Sequence, residues 1–169
     1  ADGVRNTRRQ QARLSALKVR GKRIARLRKA RVDTARFFRS GFSASVSWGI
    51  NANGIANSPL QAWRREVAKG CAAEAGGKSV ALILLLADKV PTDRTDPAFD
   101  AHILPIGDWA QAVWDSWLPR PRLQHKFVLA RRRLAKAKNV WNNVNGPATA
   151  MLASLARIGW TATDFDKLR

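Results

Sequence analysis

The sequence is poor in the residues that form disulfides and bind metals. Its 169 residues include one cysteine, Cys71, and two histidines, His102 and His125. A single cysteine excludes an internal disulfide, and neither histidine stands at a metal-ligand spacing from it. We therefore expect no structural zinc, and the sequence predicts no cofactor.

Long apolar runs are also missing. The longest is Val80 to Ala87, eight residues, whereas a membrane span needs about 20. The chain contains no tyrosine and no pair of adjacent aspartates. We expect no membrane partner. A standalone enzyme would need a cleft with convergent polar groups, and the sequence offers no candidate, so no small-molecule substrate is predicted.

Acidic residues are scarce, and they are absent from two long stretches. Thirty-one Lys and Arg face twelve Asp and Glu, for a net charge of +19. Twelve basic residues and no acid lie between Arg5 and Arg31, and no acid lies between Ser116 and Thr163. Such blocks favour a polyanion partner, because neutralised phosphates release counterions. The alternative is a solvated face or a nuclear-import-type patch.

The pattern of apolar residues predicts a mainly α fold, a compact helical bundle with a long basic N-terminal helix. Residues 1–7 are predicted to be disordered, and a helix is expected from Arg8 to Ser40. Its narrow apolar stripe comprises Leu14, Leu17, Ile24 and Leu27. The chain is expected to enter the core at Phe37, Phe38 and Phe42.

Later helices are marked by caps and by apolar spacing. Ser58-Pro59-Leu60-Gln61 is typical of a capping box, and Gly76-Gly77 is expected to end that helix. Its apolar face comprises Leu60, Trp63, Val67 and Cys71. A buried helix is expected over Ser79 to Lys89, with Val80 to Ala87 in the core. A polar loop over residues 91–97 follows.

Three more helices follow in the carboxy-terminal half. Asp108 and Gln111 predict a helix start after Pro105, and its expected buried residues are Ala110, Val113, Trp114 and Trp117. A long helix is expected from about Arg122 to Asn143, with an apolar stripe of Leu123, Phe127, Ala130, Leu134, Ala137 and Trp141. Gly146-Pro147 opens a last helix, with Met151, Leu152, Leu155 and Ile158 inward and Gly159 as its cap.

Several patterns resemble catalytic or binding sites but lack residues that those sites require. Gly77-Lys78-Ser79 looks like the end of a phosphate-binding P-loop, but Ala72 stands where its first glycine is required. A triad of Ser79, His102 and Asp88 lacks a nucleophile-elbow motif. The acids Asp93, Asp96, Asp164 and Asp166 are interpreted as loop and helix-cap residues. Trp63, Trp114 and Trp141 are expected in the core rather than stacked on bases, and Trp48 is left undecided.

The order of several motifs resembles a known family. The stretch FFRSGFSASVSWGINANGIANSPLQAWRREVAKGCAA leads to Gly77-Lys78-Ser79, then to the blocks Pro105-Ile106-Gly107-Asp108-Trp109-Ala110 and Val113-Trp114. Gly146-Pro147 and Leu155 to Trp160 complete the series. Together they resemble the region downstream of the palm, the thumb or connection, in dinoflagellate-type non-LTR retroelement reverse transcriptases. The resemblance covers about residues 36–160, although Trp48 stands at a position where the family often has Tyr.

The resemblance implies a fragment of an RNA-directed DNA polymerase that lacks the catalytic palm. Its paired aspartates would lie before Ala1, so no active site is expected in this chain. The implied organisation is a basic helical extension over 1–35 and a helical thumb-like domain over 36–169. The implied function is to grip a template–primer duplex, with RNA or an RNA–DNA duplex and the upstream palm as partners, and with a nuclear location.

Basic helices would hold the duplex by contacts to phosphate, with little readout of bases. The predicted nucleic-acid-binding residues are Arg8, Arg9, Arg13, Lys18, Arg20, Lys22, Arg23, Arg26, Arg28, Lys29 and Arg31 in the first block, and Lys126, Arg131, Arg132, Arg133, Lys136 and Lys138 in the second. The alternative function is a structural RNA-binding component of a ribonucleoprotein.

Overall fold

The computed structural model describes residues 7–72, 77–90 and 93–166, and these residues are mainly α-helical. No strand occurs within those ranges. The α-helices, in chain order, are α1 (Arg8–Lys29), α2 (Ala35–Phe37), α3 (Ser43–Ser47), α4 (Ile50–Asn53), α5 (Asn57–Cys71), α6 (Val80–Ala87), α7 (Pro97–Trp114), α8 (Arg120–Ala135) and α9 (Pro147–Arg157). A π-helix covers Phe38–Phe42 and a 3₁₀ helix covers Val140–Asn143. The predicted helical bundle with a long basic N-terminal helix is confirmed.

The chain divides into two compact units. The amino-terminal unit holds described residues of 7–48 and 56–100, and the carboxy-terminal unit holds 49–55 and 101–166. Helix α7 therefore contributes residues 97–100 to one unit and 101–114 to the other. The predicted domain boundary at residue 35 stays a prediction, because grouping by contacts does not test which part of the chain folds alone.

Helix α1 packs against α5 in the amino-terminal unit. Leu14, Leu17 and Ile24 are buried as predicted, whereas Leu27 is exposed. The helix ends at Lys29, not at Ser40, because Arg31 adopts a left-handed conformation with φ of 61°. The amide of Val32 then donates to the carbonyl of Leu27, which satisfies a terminal backbone group as in a Schellman motif. Glycine usually takes that position, so the sequence contained no stop signal there.

Helix α5 supplies the apolar surface that α1 covers. Leu60, Trp63 and Val67 are buried as predicted, and Cys71 is half-buried. The expected capping box at Ser58 is wrong, since the helix begins at Asn57 and no side chain caps it. The helix also ends at Cys71, before Gly77. Residues 1–6, Gly76 and residues 91–92, on which other predictions fell, lie outside the described residues.

The segment after α1 crosses the amino-terminal unit in short helical turns. Phe38 is fully buried, Phe42 is half-buried and Phe37 is exposed, so the expected entry into the core holds for two of the three rings. A Cβ at Gly70 of α5 would overlap the Phe38 ring. The Thr34 hydroxyl donates to the Gly70 carbonyl at 2.7 Å. Glycine is therefore required where this segment meets α5.

Helix α6 begins at the predicted place but is buried less than predicted. The Ser79 hydroxyl accepts a hydrogen bond from the Leu82 amide, as a helix cap does. Ile83 and Leu84 are buried, whereas Leu82, Leu85 and Leu86 are exposed. The prediction that Val80 to Ala87 lies in the core is therefore wrong for one face of the helix. A two-turn helix that packs mainly on one neighbour, here α5, buries only one side.

Helix α7 runs through Pro105, and the predicted start after that proline is wrong. The longer helix buries a different face, with Ala101, Pro105 and Trp109 inward at steps of four. Ala110 and Trp114, predicted to be buried, are therefore exposed, and Val113 is partly buried against the core. Trp117, also predicted to be buried, follows the end of the helix and is exposed.

The core of the carboxy-terminal unit lies between α8 and α9. It comprises Trp109, Leu123, Phe127, Ala130, Ala148, Met151, Leu152, Leu155 and Phe165. The long helix expected to reach Asn143 ends at Ala135, so Leu134 and Trp141 are only partly buried. Helix α9 is confirmed from Gly146-Pro147 onward, although Ile158 is exposed. Gly159, with φ of 81°, caps it as predicted.

Candidate nucleic-acid interface

From Lys18 to Lys29, one side of α1 is basic. Lys18, Lys22, Arg26 and Lys29 are exposed and lie at spacings of four, four and three residues. At roughly 100° per residue they fall within about 80° of arc, centred about 120° from the arc that holds the buried Leu14, Leu17 and Ile24. These four residues are called the α1 basic face. Arg8, Arg9, Arg20 and Arg23 are also exposed. Arg8 falls in the same arc, whereas the other three lie about 100° to 160° from its centre.

Ion pairs do not neutralise the α1 basic face. Within the described part of the chain, none of its four cations lies within ion-pair distance of a carboxylate. Like charges at i,i+4 on a helix repel each other by a few tenths of a kcal/mol per pair. Burial of Leu14, Leu17 and Ile24 against α5 offsets that repulsion, so the packing of the unit holds these charges together.

Other predicted phosphate contacts on α1 already bond to the protein. The guanidinium of Arg13 donates to the Trp48 carbonyl at 2.7 Å. Arg28 donates to the carbonyls of Lys69 and Ala72 at the end of α5. Both residues are half-buried, which gives them a role in attaching α1. Arg31 is exposed just beyond the helix.

The second basic surface lies on and beyond α8. Lys126, Arg131 and Arg132 are exposed, and Arg133 is half-buried. Lys136 and Lys138 are exposed and follow the end of the helix. At roughly 100° per residue, Lys126 and Arg132 point about 120° apart, so the charges surround the helix rather than lining one side.

Two α8 arginines are partly engaged within the carboxy-terminal unit. Arg131 donates to the Thr163 carbonyl at 2.6 Å. Arg120 forms an ion pair with Asp166 and lies 5.7 Å from the centre of the Phe165 ring. These contacts connect α8 to the segment after α9, which reduces the charge available to a partner.

The four aspartates interpreted as loop and helix-cap acids make structural contacts. Arg64 forms a two-pronged pair with Asp96 at 2.7 and 2.8 Å, and Arg39 lies 3.2 Å from Asp93. The Asp164 carboxylate accepts from the Asp166 amide. Their interpretation as loop and cap acids is confirmed. Within the described ranges, no group of three or more His, Cys, Asp or Glu side chains is arranged to hold a metal ion.

Three titratable groups among the described residues have altered pKa values, and none lies in a catalytic arrangement. Burial raises the pKa of the Asp100 carboxyl. Burial raises the pKa of the Cys71 thiol to about 11, so the thiol stays protonated near neutral pH. A hydrogen bond from the Lys89 ammonium, at 2.7 Å, lowers the pKa of the Asp33 carboxyl. Asp88, from the rejected triad, accepts from the Thr95 amide at 3.0 Å, which gives it a structural role.

The sequence did not predict that several tryptophans are exposed. Trp114 is 85% exposed, although it was expected in the core, and Trp48 is 75% exposed. Trp117 and Trp160 are 63% and 67% exposed. The four-residue spacing of Ala101, Pro105 and Trp109 would have revealed the true inward face of α7. Trp63 is buried and Trp141 half-buried, as expected for core residues.

In the described ranges, no helix is both long enough and apolar enough to cross a membrane. Comparison with known proteins found no matching family model, no matching curated protein and no matching solved structure.

Proposed function

We propose that this chain is the nucleic-acid-binding, thumb-like segment of a retroelement reverse transcriptase. It holds the template–primer duplex while a palm domain elsewhere in the polypeptide carries out polymerisation. The α1 basic face carries this proposal: four exposed cations on one side of a helix that buries Leu14, Leu17 and Ile24 on another. The order of the motifs between residues 36 and 160 supports the choice of family.

The dimensions of the α1 basic face suit a duplex. Lys18 and Lys29 are separated by eleven residues, which is about 16 Å along a helix axis. Over that length one strand of a duplex presents roughly five phosphates. Bound phosphates would also relieve the repulsion between neighbouring cations. Binding therefore stabilises α1 as well as attaching the nucleic acid.

The expected partner is RNA or an RNA–DNA duplex, recognised mainly by shape and charge. An RNA-containing duplex has a deep, narrow major groove that side chains do not read. Contacts from Lys and Arg to phosphate therefore give affinity without sequence preference. In this proposal the chain performs no chemistry of its own, needs no cofactor, and acts in the nucleus beside its palm.

A salt titration tests the proposal. Fluorescence anisotropy of a labelled RNA–DNA duplex is measured at increasing salt, with an RNA hairpin and single-stranded RNA as comparisons. We expect log K to fall linearly with log salt at a slope of about −4 to −7, for some five to eight phosphate contacts. Absence of binding at low salt, or binding insensitive to salt, would contradict the proposal. A clear preference for the hairpin would instead favour a structural ribonucleoprotein component.

A further inference from the structure

A small cavity in the carboxy-terminal unit has the character of a binding pocket for a flat ring. Its volume is about 240 Å³, below the roughly 300–1,000 Å³ of sites for drug-sized ligands. Trp109, Trp117 and Leu118 form apolar walls, while Asn51 and Asp108 supply polar groups. The site thus combines aromatic surfaces with a few hydrogen-bonding atoms, in a space for one ring system.

The polar atoms of this pocket are only partly used. The Asn51 amide donates to one Asp108 oxygen at 2.6 Å, and the Asn51 oxygen accepts from the Ala52 amide. A carboxylate accepts about four hydrogen bonds, so Asp108 retains acceptor capacity. Trp109, which forms one wall, is only 5% exposed. The acceptor capacity of Asp108 is therefore the polar feature that a ligand in this pocket would meet.

Cations lie next to the pocket. An adjoining cavity of about 450 Å³ shares Trp109 and Leu118 with it and is also lined by Lys126 and Arg133. The smaller cavity, which has room for a base, therefore lies beside cations that could bind phosphate. Trp117, a wall of the smaller cavity, is 63% exposed and available for stacking. Stacking on an aromatic side chain strengthens the binding of a base, and Arg or Lys nearby neutralises the connecting phosphate.

We propose that this pocket holds one unpaired nucleobase of the bound strand, with guanine preferred over uracil. This inference rests on the proposed nucleic-acid-binding function. Guanine presents two neighbouring N–H donors on one edge, which match the Asp108 carboxylate. Uracil presents one N–H between two carbonyl oxygens, and these oxygens would face the carboxylate and be repelled.

The test uses RNA–DNA duplexes that carry a short single-stranded extension at either end. The extension consists of uridines alone, or of uridines with one central guanosine, and anisotropy is measured at one salt concentration. For the unmodified chain we expect the guanosine extension to bind about tenfold tighter than the uridine extension. Equal affinity for the two extensions would overturn the proposal that this pocket binds guanine.

Single substitutions test whether the preference for guanosine arises in this pocket. Trp117→Ala should abolish the tenfold guanosine preference, whereas Trp160→Ala, which removes a similarly exposed tryptophan outside the pocket, should leave it unchanged. Asp108→Asn keeps the shape of the side chain and an oxygen for Asn51, but replaces acceptor capacity with a donor. We expect it to remove the preference for guanosine or reverse it toward uridine, with thermal unfolding unchanged.

The outcomes also distinguish this inference from the proposed function. The chain could bind the blunt duplex in a salt-dependent manner while the guanosine extension gives no gain in affinity. In that case the proposal of a guanine-binding pocket is wrong and the thumb-like function stands. If the chain binds no duplex, both fail. A Trp160→Ala variant that loses the preference as completely as Trp117→Ala would overturn the assignment to this pocket.

Discussion

Helices α1 and α8 are both strongly basic, but they are held in different ways. Helix α1 buries three aliphatic residues, and its arginines Arg13 and Arg28 bond to backbone carbonyls of the same unit. Helix α8 buries Leu123, Phe127 and Ala130 in a core that contains Trp109 and Phe165. Apolar packing is therefore richer around α8, whereas α1 combines a thin apolar stripe with hydrogen bonds from its own cations.

The arrangement of charge differs as well. The α1 basic face gathers four exposed cations within about 80° of arc, whereas Lys126 and Arg132 of α8 point about 120° apart and Arg120 is paired with Asp166. A rigid duplex contacts only the charges on the side that faces it. The number of Lys and Arg residues on a helix therefore does not by itself define a binding surface, and α1 is the stronger candidate for contact with a duplex.

Removal of charge from each helix gives the largest expected effect. The α1 variant changes Lys18, Lys22, Arg26 and Lys29 to Gln, and the matched α8 variant changes Lys126, Arg132, Lys136 and Lys138 to Gln. We expect the salt slope for the RNA–DNA duplex to become smaller by about 3 for the α1 set and by about 1 to 2 for the α8 set. Anisotropy at several salt concentrations measures both. Equal losses would show that the directional arrangement on α1 has no importance.

A single substitution in α5 tests whether packing in the amino-terminal unit keeps α1 attached to α5. Gly70→Ala places a methyl group where the buried Phe38 ring lies, and overpacking of this kind costs typically 1–3 kcal/mol. Amide hydrogen exchange should show faster exchange in α1 and α5, with α8 and α9 little changed. Gly107→Ala is the matched control, because an added methyl group there meets no atom within 4 Å. Unaltered protection in α1 would count against this account of its attachment.

The smallest expected effect is on α1 itself. Gly21 lies inside the helix, and an added Cβ would come no closer than 4.0 Å to its nearest neighbour, the Glu66 carboxylate. Gly21→Ala should raise the free energy of unfolding by about 0.5–1 kcal/mol, because alanine loses less backbone freedom on folding. Urea denaturation measures the change. Duplex affinity should remain the same or rise slightly, and a clear loss would mean that α1 binds in a non-helical form.

Periodicity predicted the inward face of α5, and local signals predicted both ends of α9. The stripe of Leu60, Trp63 and Val67, and the start and cap of α9 at Gly146-Pro147 and Gly159, are all confirmed. Prediction failed where the signal was misleading or missing. Pro105 suggested a boundary inside a continuous α7, and Arg31 took a left-handed cap that usually belongs to glycine. The candidate basic residues were visible from composition, but their shared direction on α1 needed the observed helix bounds.

The sequence by itself determined the helical class, the two acid-free basic blocks and most apolar stripes, because these follow from composition and from the 3.6-residue period. Only the tertiary structure decided which apolar residues remain exposed. Leu85 and Trp114 are as apolar as Leu84 and Trp109, yet the first two face outward and the second two are buried. Burial depends on which neighbouring elements cover a residue, and that information lies in contacts between distant segments. The pocket formed by Asn51, Asp108 and Trp117 exists for the same reason.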